Sequence, residues 1–111
     1  MLLNEELTFV KNVKNINKET IEMLLSPDEI NKSLTNKGWG YNDNEITKSY
    51  QFDTYIDGIE FINKVARLAE AHNHHPEIYI RWCKVDVTIS SHDMDGVTTK
   101  CVNLAMDIDL I

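Results

Sequence analysis

An α+β fold built on a four-stranded antiparallel sheet is predicted by three observations on the sequence. Two pairs of short strand-like runs are each split by a turn signal, a long helical stripe lies between the pairs, and a helical segment stands at either end. The order helix, strand, strand, helix, strand, strand, helix pairs consecutive strands antiparallel and places three helices on one face of the sheet.

The first 25 residues read as an N-terminal extension outside this pattern. Leu2, Leu3, Leu7, Phe9 and Val10 allow a short strand, 11–18 is an Asn- and Lys-rich loop, and Glu19 to Leu25 allows a short helix. The domain proper spans 26–111. It opens at Ser26-Pro27-Asp28-Glu29, where a serine cap, a proline at the first helical position and a glutamate three residues after the cap form a capping box. This helix is expected to reach about Asn36 and to stop at Gly38. Trp39-Gly40-Tyr41 then starts a strand, Asn42-Asp43-Asn44 turns the chain, and Ile46, Tyr50 and Phe52 mark one face of a second strand.

Tyr55, Ile59, Ile62, Ala66 and Ala69 follow a helical period, widened by Phe61, Val65 and Leu68, with Asp53 or Thr54 as cap. Pro76 cannot continue that helix. Beyond it, Ile78, Ile80 and Trp82 share a strand face, whereas Val85, Val87 and Ile89 take the opposite phase. A regular strand cannot change phase, so a turn is expected at Cys83-Lys84 and Trp82 is assigned to core or interface. Asp93-Met94-Asp95-Gly96 is a loop. Thr98 or Thr99 caps a last helix with Val97, Cys101, Leu104, Ala105, Ile108 and Ile111 as its buried stripe. The sheet keeps an open face and a free edge, which makes a homodimer by sheet extension the natural assembly.

Composition narrows the function. The chain has 111 residues, 42% of them hydrophobic and 26% charged, which suits one globular domain. A net charge of −7 disfavours a nucleic-acid or anionic-membrane surface. No apolar run approaches the ~18 residues of a membrane span. The start Met-Leu-Leu-Asn-Glu-Glu lacks the basic, apolar order of a secretory signal, and Cys83 and Cys101 stand alone, so two reduced thiols in a cytoplasmic protein are expected.

Three of the four histidines fall in Glu70-Ala71-His72-Asn73-His74-His75-Pro76, and the fourth is His92. A metal site is one reading, but the spacing does not match two ligands one helical turn apart, and no compact Cys/His motif is present. A second reading is solvated histidines at a helix C-terminus, where the helix dipole favours positive charge; His72 fits it best. The third is acid/base catalysis on a small molecule, with two adjacent histidines on a rigid turn and another at a strand end.

Glu70, His74-His75-Pro76, Trp82 and His92, in that order and spacing, resemble the pterin-4a-carbinolamine dehydratases, and the resemblance extends over about 24–111. It implies dehydration of 4a-hydroxytetrahydropterin to quinonoid dihydropterin, in tetrahydropterin recycling, with no metal or organic cofactor. On this resemblance His74 and His92 are the acid/base pair and His75 binds and orients the pterin. Glu70, Asn73 and Trp39 join the substrate-binding set. The implied assembly is a homodimer or homotetramer, with no direct contact to nucleic acid or membrane. Non-enzymatic use of the same fold, as a coactivator-type dimerisation module or an assembly factor, is the alternative.

The chain departs from the best-known animal members at three places. Asn73 stands for an aspartate, Ile78 for an aromatic, and Lys100-Cys101 for an Arg-Asp pair at the start of the last helix. That aspartate was a candidate to orient His92, and a cysteine does not serve as an anion at neutral pH without help. Asp93 and Asp95 are nearby substitutes, whereas Asp107 lies two turns along the helix.

Overall fold

A computed structural model describes residues 21–111; the strand and loop expected within 1–20 lie outside them. The elements are α1 (Pro27–Leu34), β1 (Gly40–Asn42), β2 (Glu45–Gln51), α2 (Tyr55–His72), β3 (Glu77–Arg81), β4 (Lys84–Ile89) and α3 (Thr99–Ile108), with single 3₁₀ turns at Thr35–Lys37 and His92–Met94. The predicted α+β class and element order are both found. The sheet runs β1-β2-β4-β3 with every pair antiparallel, so both hairpins meet at the central β2–β4 pair.

Each element follows from local chemistry. The Ser26 hydroxyl accepts from the Glu29 amide at 3.2 Å while the Glu29 carboxylate accepts from the Ser26 amide at 3.3 Å, which closes the expected capping box. Past α1 and its 3₁₀ turn, Gly38 takes φ +88°, a backbone state that side chains resist. Asp43 and Asn44 turn the first hairpin with φ 50° and 66°, as a two-residue turn matched to strand twist requires. Thr54 caps α2 by accepting from the Asp57 amide at 3.1 Å.

One face of the sheet is dry. Ile46, Val85, Val87 and Ile89 lie against Phe61, Val65 and Leu68 of α2 and Cys101, Leu104, Ala105 and Ile108 of α3, with Ile30 and Leu34 of α1 closing the core. The other face is polar. Thr47 and Thr88 share a hydrogen bond, and Asp86 accepts from Ser49 and Arg81, both at 2.6 Å. The Ser49 hydroxyl, seconded by Arg81 and Lys84, holds the Asp86 carboxyl below its ordinary range.

Three expectations need correction. Residues 21–25 form no helix; they run extended, with Leu24 bridging Thr98 and the Leu25 amide donating to Val97 at 2.9 Å. Backbone pairing with the 96–99 segment takes the hydrogen bonds that a helix would have used. The second hairpin turns at Trp82-Cys83, one residue earlier than expected, because Arg81 pairs with Lys84. Trp82 therefore leaves the strand face and is 80% exposed. Ile111 is also more open than a core residue, at 38%.

Candidate active site

The histidine cluster is shaped by how α2 ends. Asn73 adopts φ 51°, ψ 43°, a left-handed state that asparagine tolerates better than most side chains. Its amide donates to Glu70 at 3.1 Å, and the His74 amide donates to Ala69 at 3.0 Å. These paired bonds are a Schellman closure, which reverses the chain and turns His74 and His75 out of the helical repeat. Asn73 is thus a backbone device as well as a member of the cavity wall.

His92 arrives from the other direction. Ser91 and Gly96 bridge across a short 3₁₀ turn, and Asp95 closes it at φ 53°. Gly96 packs closely under the N-terminal segment, since a Cβ on it would sit 2.7 Å from Leu24 Cδ1 and displace that exposed side chain. The result is one cavity of about 340 Å³ whose wall includes Asn73, His74, His75, His92 and Lys100. That volume lies at the small end of ligand pockets, which begin near ~300 Å³.

His74 and His75 differ sharply in setting. His75 is exposed and pairs at 2.9 Å with the exposed carboxylate of Glu70. His74 Nε2 instead points inward, 3.2 Å from the buried Cys101 Sγ. Burial pushes His74 below its ordinary value, against the pull of the Glu22 carboxylate, and Lys100, His72 and His75 add to the downward push. Burial likewise raises the Cys101 thiol above its ordinary value, so it stays protonated at neutral pH.

Glu22 is the residue that sequence reasoning missed. It lines the cavity, and its Oε2 accepts from Thr98 at 2.9 Å and Ser91 at 3.3 Å. Nothing local in the sequence marks it; only the pairing of 24 with 98 carries it there. A carboxylate is thus present at the position-101 end of α3, supplied from the N-terminal segment rather than from the helix itself.

Three of the residues singled out in the sequence lie elsewhere. Glu70 is not in the cavity wall and meets it through His75. Trp39 does not line this cavity: it is buried at 3% exposure, with Nε1 donating to Asp109 at 2.9 Å. His72 is not solvated. It faces inward, and its Nε2 meets Asp107 Oδ2 at 2.6 Å, with side chains 5% and 1% exposed. Position 72 follows 65 and 68 on the buried face of α2, so the helical period overrides the helix-end argument. Among the described residues, no group of three or more His, Cys, Asp or Glu side chains is placed to hold a metal ion.

Comparison with known proteins assigns the family. The family model for pterin 4 alpha carbinolamine dehydratase matches residues 23–111. A Roseiflexus castenholzii protein named for pterin-4-alpha-carbinolamine dehydratase is 45% identical over 89 residues, spanning 79% of this chain and 96% of that relative. A Haloarcula marismortui protein of the same name is 42% identical, over 74% of this chain and 88% of its own length. The crystal structure of a transcriptional coactivator/pterin dehydratase from Brucella melitensis superposes with TM-score 0.74 at 31% identity, covering 79% of this chain and 97% of the other. With a family model matched over four-fifths of its length, the chain belongs to the pterin 4-alpha-carbinolamine dehydratases, a family of hydro-lyases.

Proposed function

We propose that the chain dehydrates 4a-hydroxytetrahydropterin to quinonoid dihydropterin and water, as a step of tetrahydropterin recycling. The observation that carries this reading is the convergence of His74, His75 and His92 from two separate connections on one small cavity. The reaction breaks the C4a–O bond. One histidine delivers a proton to the departing hydroxyl, which leaves as water, and another takes the proton that N5 gives up. No electrons are exchanged with a third party, so two positioned acid/base groups are sufficient for the step.

His74 and His92 take the acid/base roles. His74 is half-buried and pushed down in proton affinity, so it gives up a proton readily once charged. His75, exposed and tied to Glu70, orients the pterin, and the Asn73 side chain contributes to binding from the same wall. Trp39 affects the site through the anchoring of α3, because its indole N–H donates to Asp109 just past that helix.

The chain works as a cytoplasmic homo-oligomer, dimer or tetramer. Among the described residues the β1 and β3 edges of the sheet are unpaired, and Tyr79 and Trp82 at the β3 end are 70% and 80% exposed. Both cysteines are free thiols, which suits a reducing compartment. The Brucella relative's description as a coactivator keeps a second role, as a binding module, in view. A stopped-flow assay of 4a-hydroxytetrahydropterin decides between them: acceleration over buffer supports the enzyme, and none supports binding alone.

A further inference from the structure

The contacts behind His74 form an unbroken line from the cavity wall to the buried side of α3. Glu22 Oε2 meets Thr98 Oγ1 at 2.9 Å, Thr98 Oγ1 meets Cys101 Sγ at 3.6 Å, and Cys101 Sγ meets His74 Nε2 at 3.2 Å. Thr98 and Cys101 are fully buried, so these groups have each other rather than water as partners. Each link has one proton available, and this fixes the direction of the whole line. The carboxylate only accepts, so the single Thr98 proton goes to Glu22. The Thr98 oxygen is then the acceptor toward Cys101, whose single proton goes to Thr98. The sulfur in turn is left to accept, and His74 Nε2 must donate.

We propose that Glu22, Thr98 and Cys101 are positioning residues that hold His74 in its Nε2–H tautomer, leaving Nδ1 as the ring atom that exchanges a proton with the substrate. The structural part stands on the three contacts; the assignment of Nδ1 to the reaction rests on the dehydratase reading above. Burial keeps the Cys101 thiol protonated at neutral pH, so the S–H is present to donate. The acid that the best-known animal members carry at the start of the last helix is thus replaced by a relay, with the anion moved to the N-terminal segment. Cys101 is turned toward His74 rather than toward His92.

The groups facing His74 are Glu22 from the N-terminal segment, Lys100 and Cys101 from α3, and His72 and His75 from its own turn. His92 and Asp93 share its cavity from the 3₁₀ turn. Among the described residues the hydrogen-bond partner of Nε2 is Cys101, so the tautomer reports that contact.

The experiment is nitrogen-15 NMR of the full chain with labelled histidine, at a pH where His74 is neutral, with His74→Gln to assign the signal. The two ring nitrogens of a neutral imidazole differ widely in shift according to which holds the proton. Wild type is expected to show His74 as Nε2–H. Cys101→Ser keeps a single-proton group in the line and is expected to retain that tautomer. Cys101→Ala and Thr98→Val break the line and are expected to move His74 toward a mixture or toward Nδ1–H. An Nδ1–H signal in wild type overturns the proposal, as does an unchanged Nε2–H signal in both breaking variants. Because the readout needs no pterin, a chain without dehydratase activity that still shows the tautomer pattern refutes the functional reading and not the relay.

Discussion

Asp109, just past the end of α3, accepts from three side chains of the first hairpin region, and removing its carboxylate is predicted to unfasten that end of the helix. Its Oδ2 takes the Trp39 indole N–H at 2.9 Å, and its Oδ1 takes Tyr50 OH at 2.7 Å and Lys48 Nζ at 2.8 Å. The three donors are not equal. Lys48 is partly exposed, also donates to the Lys37 carbonyl, and regains water easily, so its ion pair is worth at most about 1 kcal/mol. Trp39 is 3% exposed and cannot, so its orphaned N–H costs about 1–3 kcal/mol. Tyr50 is mostly buried; burial first, then the bond to Asp109, raises its hydroxyl far above the ordinary phenol range, and losing the acceptor costs a similar amount. Asp109→Ala is therefore expected to lose about 3–5 kcal/mol, a fall of roughly 15–30 °C in Tm for a domain of this size. Asp109→Asn should lose about half of that, since its one oxygen still serves Tyr50 and Lys48 while its amide opposes the indole donor. Urea denaturation followed by circular dichroism provides the measure. A loss under 1 kcal/mol in Asp109→Ala, comparable with breaking the exposed Arg81–Asp86 pair, would refute the assignment.

Four further outcomes follow from the same geometry. Trp39→Ala is expected to cost about 3–5 kcal/mol and Trp82→Ala less than about 0.5, so that denaturation separates a core tryptophan from a turn tryptophan. Asp107→Ala strands a buried His72 and should cost about 3–5 kcal/mol in a denaturation series. Gly58→Ala should gain about 0.5–1 kcal/mol, because the added methyl meets Val85, Phe52 and Ile80 at ordinary contact distances of 3.5–3.8 Å within α2. For His74 the folded proton affinity lies below the unfolded value, so the unfolded chain binds the extra proton and stability falls as pH drops from 6.5 toward the depressed value. Denaturation midpoints across that window should be flatter with pH in His74→Gln than in wild type.

The framework was legible wherever local chemistry decides the outcome. The capping box at Ser26, the cap at Thr54, the turn at Asp43-Asn44 and the stop at Pro76 all act within four residues of themselves. The apolar phases of 85–89 and 101–108 likewise named their own buried faces. What escaped the sequence depends on partners far along the chain. His72 became a core residue through Asp107, 35 positions away, and Trp39 joined Asp109 across 70. Glu22 reaches Thr98 across 76 positions, and only strand-like pairing of the segment that follows it carries it to the cavity. The turn at Trp82 was misplaced by one residue because the change of phase marks a break without saying which residue absorbs it.

The functional claim comes down to His74 and His92 moving the protons of one dehydration. Stopped-flow turnover of 4a-hydroxytetrahydropterin by wild type, His74→Ala, His92→Ala and the double variant tests it most directly. The account predicts a wild-type rate well above buffer, losses of about 10²–10⁴-fold in each single variant, and a double variant little faster than buffer. A double variant that turns over like wild type would contradict it.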